Sequence, residues 1–498
     1  MSRNIADVVL GGSKRRFTGL TLASLLAITS WGLHGTALAA DPTTVIASMP
    51  GAEKGAQPYG AMVQAPDGYV YGTALTNSPD SGWGLVFRVK TNGSGYKVVH
   101  TFDGSTEGGS PRGDLMVGSD GSVYGNASTG QGAAQYGSLW KYVPGGKFKL
   151  LHVFNGSDGA YPGGALVQDS KGLLYGFAIG GGEFGRGAIF KMQPSGEKFT
   201  VIHSFAGDAS GGNPHGLALG TDNLLYGVTS SGGNTGEGVA FKMARDGSGF
   251  QVLHSFDSTV ESINPQASLV TNPADGYVYG TTNSNGADYG SVYRFNGAGN
   301  FQTVLKFDDI TNGEFPTSPL VVGPNGHLYG SAPYGGPSRS YGTLIEIDPA
   351  TSKLVGVVSL TDSAFAVQAG LTKGSDGMLY VPAYAGGANS AGAILKVDPA
   401  AFPAPILPKP AVQFYIDQIN PPMTTSNTTP GKLMKLAWYS QYADSCAVTG
   451  TWDSGQVATE GTKTIRQTEL GDYPYVLTCS NAQGSTSSTQ VLHVLPKP

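Results

Sequence analysis

Four histidines recur at matching places along the chain: His100, His152, His203 and His254. Imidazoles gathered around one point could ligate zinc or relay protons. Lys306, Val358 and Ala47 occupy the same column in other copies. A second column is richer in aromatics and stands directly before a recurring glycine: Trp83, Tyr136, Arg186, Glu237, Tyr289, Tyr341 and Ala391, with Phe184 two residues earlier in its own copy. Aromatic faces stack on sugar rings or on peptide side chains. A third set is acidic: Asp103, Glu107, Asp158, Asp208, Asp257, Glu261, Asp308, Asp309, Glu314 and Asp362. Calcium takes about six to eight oxygen ligands, and no copy carries an Asp-x-Asp-x-Asp loop. Asp side chains that bond their own turns account for most of this set. Calcium is the one cofactor these acids suggest. There is no Gly-x-Ser-x-Gly elbow, no His-Glu-x-x-His and no P-loop, so no catalytic or metal-ligating residue is assigned.

What must position these columns is a repeat. A tyrosine–glycine pair recurs as Tyr71-Gly72, Tyr124-Gly125, Tyr175-Gly176, Tyr226-Gly227, Tyr279-Gly280 and Tyr329-Gly330, and Tyr380 is followed by Val381. The intervals between the tyrosines are 53, 51, 51, 53, 50 and 51 residues. The third copy predicts four strands: Gly164–Gln168, Leu173–Ala178, Ala188–Met192 and Phe199–Phe205. Four strands in about 50 residues match one propeller blade. The first hairpin carries Asp67-Gly68, Asp120-Gly121, Lys171-Gly172, Asp275-Gly276, Asn325-Gly326 and Asp376-Gly377, with Asp222-Asn223 as the exception. Such pairs suit the positive φ of a tight turn. A glycine precedes the third strand in every copy: Gly84, Gly137, Gly187, Gly238, Gly290, Gly342 and Gly392.

The seventh copy stops after three strands, near Val397, and the segment Thr44–Met49 is an unpaired strand that aligns with the missing fourth. We therefore expect a closed seven-bladed β-propeller over residues 41–398, because closure removes exposed sheet edges. The strand after each Pro/Gly loop is then innermost and the His-x-Phe strand outermost. That places the histidines about three strand spacings, ~14 Å, beyond the inner strand and on different blades. One metal cannot gather ligands so placed. The histidines are expected to pack or hydrogen-bond between blades. The aromatic column shares a face with the blade-to-blade loops. Trp83, Tyr136, Phe184, Arg186, Tyr289 and Tyr341 are the expected ligand-binding residues there, with packing against the next blade as their alternative use.

Composition agrees with an exported all-β protein. Only 13% of residues are charged, and 76 of 498 are glycine, which suits many turns and little helix. Lys14, Arg15 and Arg16 precede an apolar run that ends near Leu33, followed by Ala37-Leu38-Ala39. Residues 1–40 read as a secretory signal, and the run is too short for a membrane span. Removing them takes the formal charge from −5 to −8. A mildly acidic chain is a poor nucleic-acid binder. A secreted monomer, extracellular or periplasmic, with no membrane span after cleavage is expected. The only cysteines, Cys446 and Cys479, read as one disulfide in an oxidising compartment. Closing that loop is worth roughly 4 kcal/mol.

Residues 399–411 hold five prolines and form a semi-rigid linker. Alternating segments follow in 412–498. Trp438, Tyr475 and the two cysteines are the expected core of a small β-sandwich.

The repeats resemble the GloVer-type tandem repeat of secreted bacterial proteins. The matching residues are Gly172-Leu-Leu-Tyr-Gly176 with Gly187-Ala-Ile-Phe190 and their counterparts over residues 43–398. Such proteins often end in a surface-sorting segment, whereas this chain ends in a folded-looking module. That module resembles bacterial Ig-like domains. It differs from antibody domains in having Trp438 before the first cysteine and Leu477 where the corner tyrosine would be. The sequence thus suggests an all-β, seven-bladed β-propeller followed by a small Ig-like β-sandwich. It is read as a non-catalytic binding or scaffold protein for an extracellular glycan or protein. A polysaccharide lyase or hydrolase using Arg186, Glu237, Arg339 or His215 is the second reading, and a purely structural matrix protein is the third.

Overall fold

The computed structural model describes residues 41–76, 82–283, 288–337, 341–416, 425–452 and 455–496. The proposed signal, residues 1–40, and Arg339 lie outside them. Among the described residues the regular structure is strand, interrupted by three single 3₁₀ turns. Seven sheets have four strands each. In the third copy they are Ala160–Gln168, Leu174–Gly180, Ala188–Met192 and Thr200–Ser204, hydrogen-bonded in sequence order. The last copy supplies Thr372–Lys373, Leu379–Ala383 and Ala393–Val397. Its fourth strand is Thr43–Ser48, antiparallel to Ala393–Val397. The first strands of successive sheets adjoin: Ala56–Gln64 lies beside Met116–Val117 of the next copy and beside Thr372–Lys373 of the last.

Register explains the tyrosine–glycine pair. Gly72, Gly125, Gly176, Gly227 and Gly280 face Phe87, Trp140, Phe190, Phe241 and Tyr293 across the strand pair. A Cβ on Gly72 would stand 2.5 Å from the Phe87 ring. The aromatic ring fills the volume that glycine leaves, in a core without voids. In the sixth copy the facing residue is Ile345, and in the seventh Leu395 faces Val381. As the opposing side chain shrinks, the glycine is finally replaced.

Each tyrosine is buried, and in six copies its hydroxyl donates to the hairpin that opens its strand. Tyr71, Tyr124, Tyr175, Tyr226, Tyr279 and Tyr380 bond Asp67, Asp120, Asp169, Asp222, Asp275 and Asp376 at 2.6–3.1 Å. Burial pushes the Tyr175 hydroxyl up to about 12, and Asp169 acts in the same direction. Where the hairpin has Asn325, the Tyr329 hydroxyl donates to Glu346 instead, at 2.7 Å. A buried hydroxyl needs such a partner.

The histidines join neighbouring copies. His100, His152, His203 and His254 stack nearly parallel on Phe148, Phe199, Phe250 and Phe301 of the following copy, with ring centroids 3.5–4.3 Å apart. Three also meet carboxylates: Glu107 at 2.8 Å, Asp158 at 3.0 Å and Glu261 at 2.6 Å. Among the described residues His203 has no hydrogen-bond partner at Nε2, and burial lowers its pKa.

Residues after 398 are tied down at both ends. The Asp398 carboxylate caps the turn Pro399–Ala401, and the Phe402 ring meets the Tyr329 ring edge-on at 5.2 Å. The Val357 N–H donates to the Pro403 carbonyl at 3.0 Å. Asn481 donates to the Pro408 carbonyl at 2.7 Å.

Two further sheets follow. One holds Ala411–Ile416, Leu433–Gln441 and Glu460–Arg466, and the other has five strands including Ser445–Gly450, Gly471–Asn481 and Gly484–Val494. Both contribute to one core that includes Phe414, Trp438, Trp452, Cys446, Tyr475 and Cys479. The cysteines form a disulfide. They are directly opposed residues on adjacent strands of one sheet, so the bond staples a strand pair. An antibody-type bridge would instead join two sheets.

Candidate functional site

Each copy enters its first strand through a non-glycine residue with positive φ: Gln57, Ser110, Tyr161, Asn213, Asn264, Phe315 and Ala366, all between 51° and 67°. Asparagine tolerates this conformation, whereas tyrosine and phenylalanine adopt it at a cost. Six of these residues donate their N–H to a carbonyl of the preceding copy. Ser110, Tyr161, Asn213 and Phe315 reach Trp83, Tyr136, Arg186 and Tyr289 at 2.7–2.9 Å, Gln57 reaches Ala391 at 2.7 Å, and Ala366 reaches Tyr341 at 3.4 Å. The following position is proline in six copies, and it explains the glycine before the third strand. Gly187 has φ +97°, and a side chain there would overlap Pro214 of the next copy.

The turn decides where the next side chain points. The residues two positions after the seven positive-φ residues are Tyr59, Arg112, Gly163, His215, Gln266, Thr317 and Gln368, and all seven line a single cavity of about 330 Å³. A wider cavity of about 530 Å³ shares Tyr59, Gln266, Thr317 and Gln368 with it and adds Asn283, Phe315, Pro333 and Tyr334. Together they form one funnel with contributions from every copy.

The smaller cavity is also lined by a polar tie between distant copies. Asp114 accepts hydrogen bonds from the Ala61 N–H and the Ser268 hydroxyl, both at 2.7 Å. The Ser268 oxygen in turn accepts from the Ala165 N–H at 3.3 Å. Burial raises the Asp114 pKa, and the two hydrogen bonds work against it. The walls are amides and aromatic rings. The Arg112 guanidinium lies 5.8 Å from the Tyr59 ring centroid, a cation–π placement. Tyr59 meets Tyr384 edge-on at 6.5 Å, and Phe315 meets Tyr334 at the same separation. Tyr161 and Tyr334 are each 45% exposed.

His215 is the titratable reporter of this funnel. Burial pushes its pKa from 6.5 down to about 4. The folded state thus prefers the neutral ring, and the unfolded chain binds the proton more readily below pH 6.5. The part of the stability linked to His215 is therefore complete above pH 6.5 and is lost as pH drops towards about 4. We expect His215→Gln to flatten that segment of the melting-temperature profile while leaving the profile above pH 7 unchanged. An unaltered acid slope would remove His215 from the account.

The six aromatic and charged residues expected at the mouth, Trp83, Tyr136, Phe184, Arg186, Tyr289 and Tyr341, stand outside these two cavities. Trp83 packs on Gly104 and Gly109, Tyr136 on Gly156, and Tyr341 on Phe365 at 5.2 Å. Phe184 and Tyr289 are 55% and 41% exposed, and Arg186 is exposed too. The carbonyls of Trp83, Tyr136, Arg186, Tyr289 and Tyr341 anchor the turns described above. Of the residues considered for catalysis, His215 lines the funnel. Glu237 accepts hydrogen bonds from the Ser258 N–H and hydroxyl, and Arg186 lines neither cavity. The acidic loop residues mostly bond their own turns. Asp103 accepts from the N–H groups of Ser105, Thr106 and Glu107, and Asp257 from that of Thr259. Among the described residues no three His, Cys, Asp or Glu side chains are grouped to hold a metal.

The sequence does contain a signal for the funnel. Pro58, Pro111, Pro162, Pro214, Pro265 and Pro316 stand in one column, and the residue after each changes type from copy to copy within an otherwise repeated frame.

No curated protein matches the chain. Among solved structures, the extracellular domain of a hybrid two-component system from B. thetaiotaomicron is similar at 13% identity and a TM-score of 0.49, over 92% of this chain and 58% of that one. PorZ, a surface component of the type-IX secretion system of Porphyromonas gingivalis, is similar at 14% identity and a TM-score of 0.45, over 88% and 59%. Kuenenia stuttgartiensis hydrazine synthase is similar at 16% identity and a TM-score of 0.48, over 68% and 96%. The chain thus spans less than two-thirds of the length of the first two. Among the described residues no helix is long and apolar enough to cross a membrane. Residues 30–216 and 180–395 match the Gloeobacter/Verrucomicrobia repeat, and the chain belongs to that family.

Proposed function

We propose that the protein is an exported, non-catalytic binding protein that takes an extracellular glycan or protein segment into the axial funnel. In this reading the seven sheets are the blades of a propeller over residues 41–398, closed by Thr43–Ser48. The C-terminal sheets form an Ig-like spacer over residues 412–498. The adjoining first strands and the pairing of the chain's start with its last repeat support the closed ring. The disulfide supports export, since such bonds persist in oxidising compartments.

One observation carries the binding reading. The frame of each copy is the same, yet the side chain it delivers to the funnel is Tyr, Arg, Gly, His, Gln, Thr or Gln. A constant scaffold with varied tips converging on one concavity is how binding sites are built. Rings with exposed faces, amides and hydroxyls suit a polyol, which offers C–H faces to the former and hydroxyls to the latter.

Glycan and protein arrays probed with the exported chain test this. We expect a ligand to be found, and the paired change Gln266→Ala and Gln368→Ala to weaken its binding about tenfold, the worth of one to two lost hydrogen bonds. The melting temperature should change little, because both amides face the cavity. The reading fails if no ligand of either class binds, or if the paired change leaves affinity intact.

A further inference from the structure

The funnel lining carries one standing cation, Arg112, and one carboxylate, Asp114. Its ionisable lining comprises Arg112, Asp114 and His215 beside the tyrosines. Both Asp114 oxygens already accept hydrogen bonds from the protein, one from the Ala61 N–H and one from the Ser268 hydroxyl. His215 is held neutral by burial. Arg112 is exposed, and among the described residues no carboxylate stands within ion-pair distance of it. Arg88 and Arg245, by contrast, are paired with the hairpin residues Asp67 and Asp169 at 3.5 and 2.6 Å. The remaining wall is neutral: Gln266, Gln368, Asn283 and Thr317, with the rings of Tyr59 and Tyr334. A fork of N–H donors beside an aromatic face, in a ring of neutral hydrogen-bonding groups, asks for a ligand with one planar anion on a hydroxylated ring.

We propose that the funnel selects uronic-acid-bearing glycans, with the sugar carboxylate on the Arg112 guanidinium and the sugar ring against Tyr59. This rests on the binding reading above and names its ligand class. Guanidinium and carboxylate match as a bidentate pair, which a lysine cannot reproduce. Neutral sugars would meet the same amides and rings but leave the guanidinium unanswered.

The test is calorimetric titration of the exported chain with glucuronate, galacturonate and mannuronate oligosaccharides, their carboxyl-reduced counterparts, and an oligoglutamate peptide. At least one uronate should bind about tenfold to a hundredfold tighter than its reduced form, the range expected of a charge-assisted pair. Arg112→Gln should erase that difference while retaining the weak affinity for the reduced sugar, and Arg112→Lys should restore only part of it. Equal binding of acidic and reduced sugars, or an unchanged preference in Arg112→Gln, overturns the uronate assignment but leaves glycan binding standing. Equal binding of the peptide overturns it as well. Failure of every sugar and of the peptide likewise overturns the uronate assignment, and the binding reading itself then falls if the glycan and protein arrays are also blank. Arg112 is exposed, so its variants should keep the parent melting temperature, and a variant that does not is replaced by Arg112→Met.

Discussion

Gly227→Val is expected to destabilise the protein by about 3 kcal/mol, at the upper end for overpacking a filled core. Gly227 is not a flexible hinge. It faces Phe241 across adjacent strands, and a Cβ at Gly227 would enter the Phe241 ring, which is fully buried. The strands on both sides are covered, so the ring has nowhere to move. The chain itself contains the remedy: the seventh copy carries Val381 opposite Leu395. Phe241→Leu alone should cost about 1 kcal/mol. Combined with Gly227→Val it should recover most of the loss, giving a coupling of about 1–3 kcal/mol in a double-mutant cycle. Denaturant midpoints of the four proteins measure this. Additive losses would show that size matching between these columns is not what preserves the glycine.

Removing Asp41–Met49 is expected to be still more damaging, by upward of about 5 kcal/mol. Five register pairs join Thr43–Ser48 to Ala393–Val397, and Met49 is fully buried. Further bonds fix the ends of the segment: the Asp398 N–H donates to the Pro42 carbonyl at 2.8 Å, and the Met49 N–H to the Gly392 carbonyl at 2.9 Å. Each lost backbone bond counts for roughly 1 kcal/mol and the methionine for about 2–3 kcal/mol. The deletion also leaves Ala393–Val397 as a bare sheet edge, a template for association. We expect the shortened chain to lose its sharp unfolding transition and to aggregate, and a peptide spanning residues 41–49 to restore the transition in trans. A shortened chain that unfolds like the parent would refute any structural part for this strand.

Strand positions and hairpins were legible in the chain because their causes are local. Asp-Gly and Asn-Gly pairs encode their own turns, and alternation of side chains marks a strand within a few residues. The period of about 50 residues multiplied that local information, so that an ambiguous copy could be read from a clear one. The same locality made the tyrosine conspicuous without explaining it. Its hydroxyl reaches back only four residues in most copies to the hairpin aspartate, yet the glycine beside it answers to a ring some 15 residues further on, through register.

The funnel needed the tertiary structure. Trp83, Tyr136 and Tyr341 stand out in the sequence by their chemistry, but residue type does not state which cavity a side chain enters, and they lie outside the two described. Their carbonyls anchor the entry turns that precede Arg112, Gly163 and Gln368, three of the seven positions that line the cavity. These positions are spaced about 50 residues apart and meet only because first strands of neighbouring sheets adjoin. Periodicity along the chain therefore determined the repeating unit and its strands. Convergence, which depends on contacts between units and on backbone angles that no residue type at those positions announces, was decided only when the sheets packed against one another.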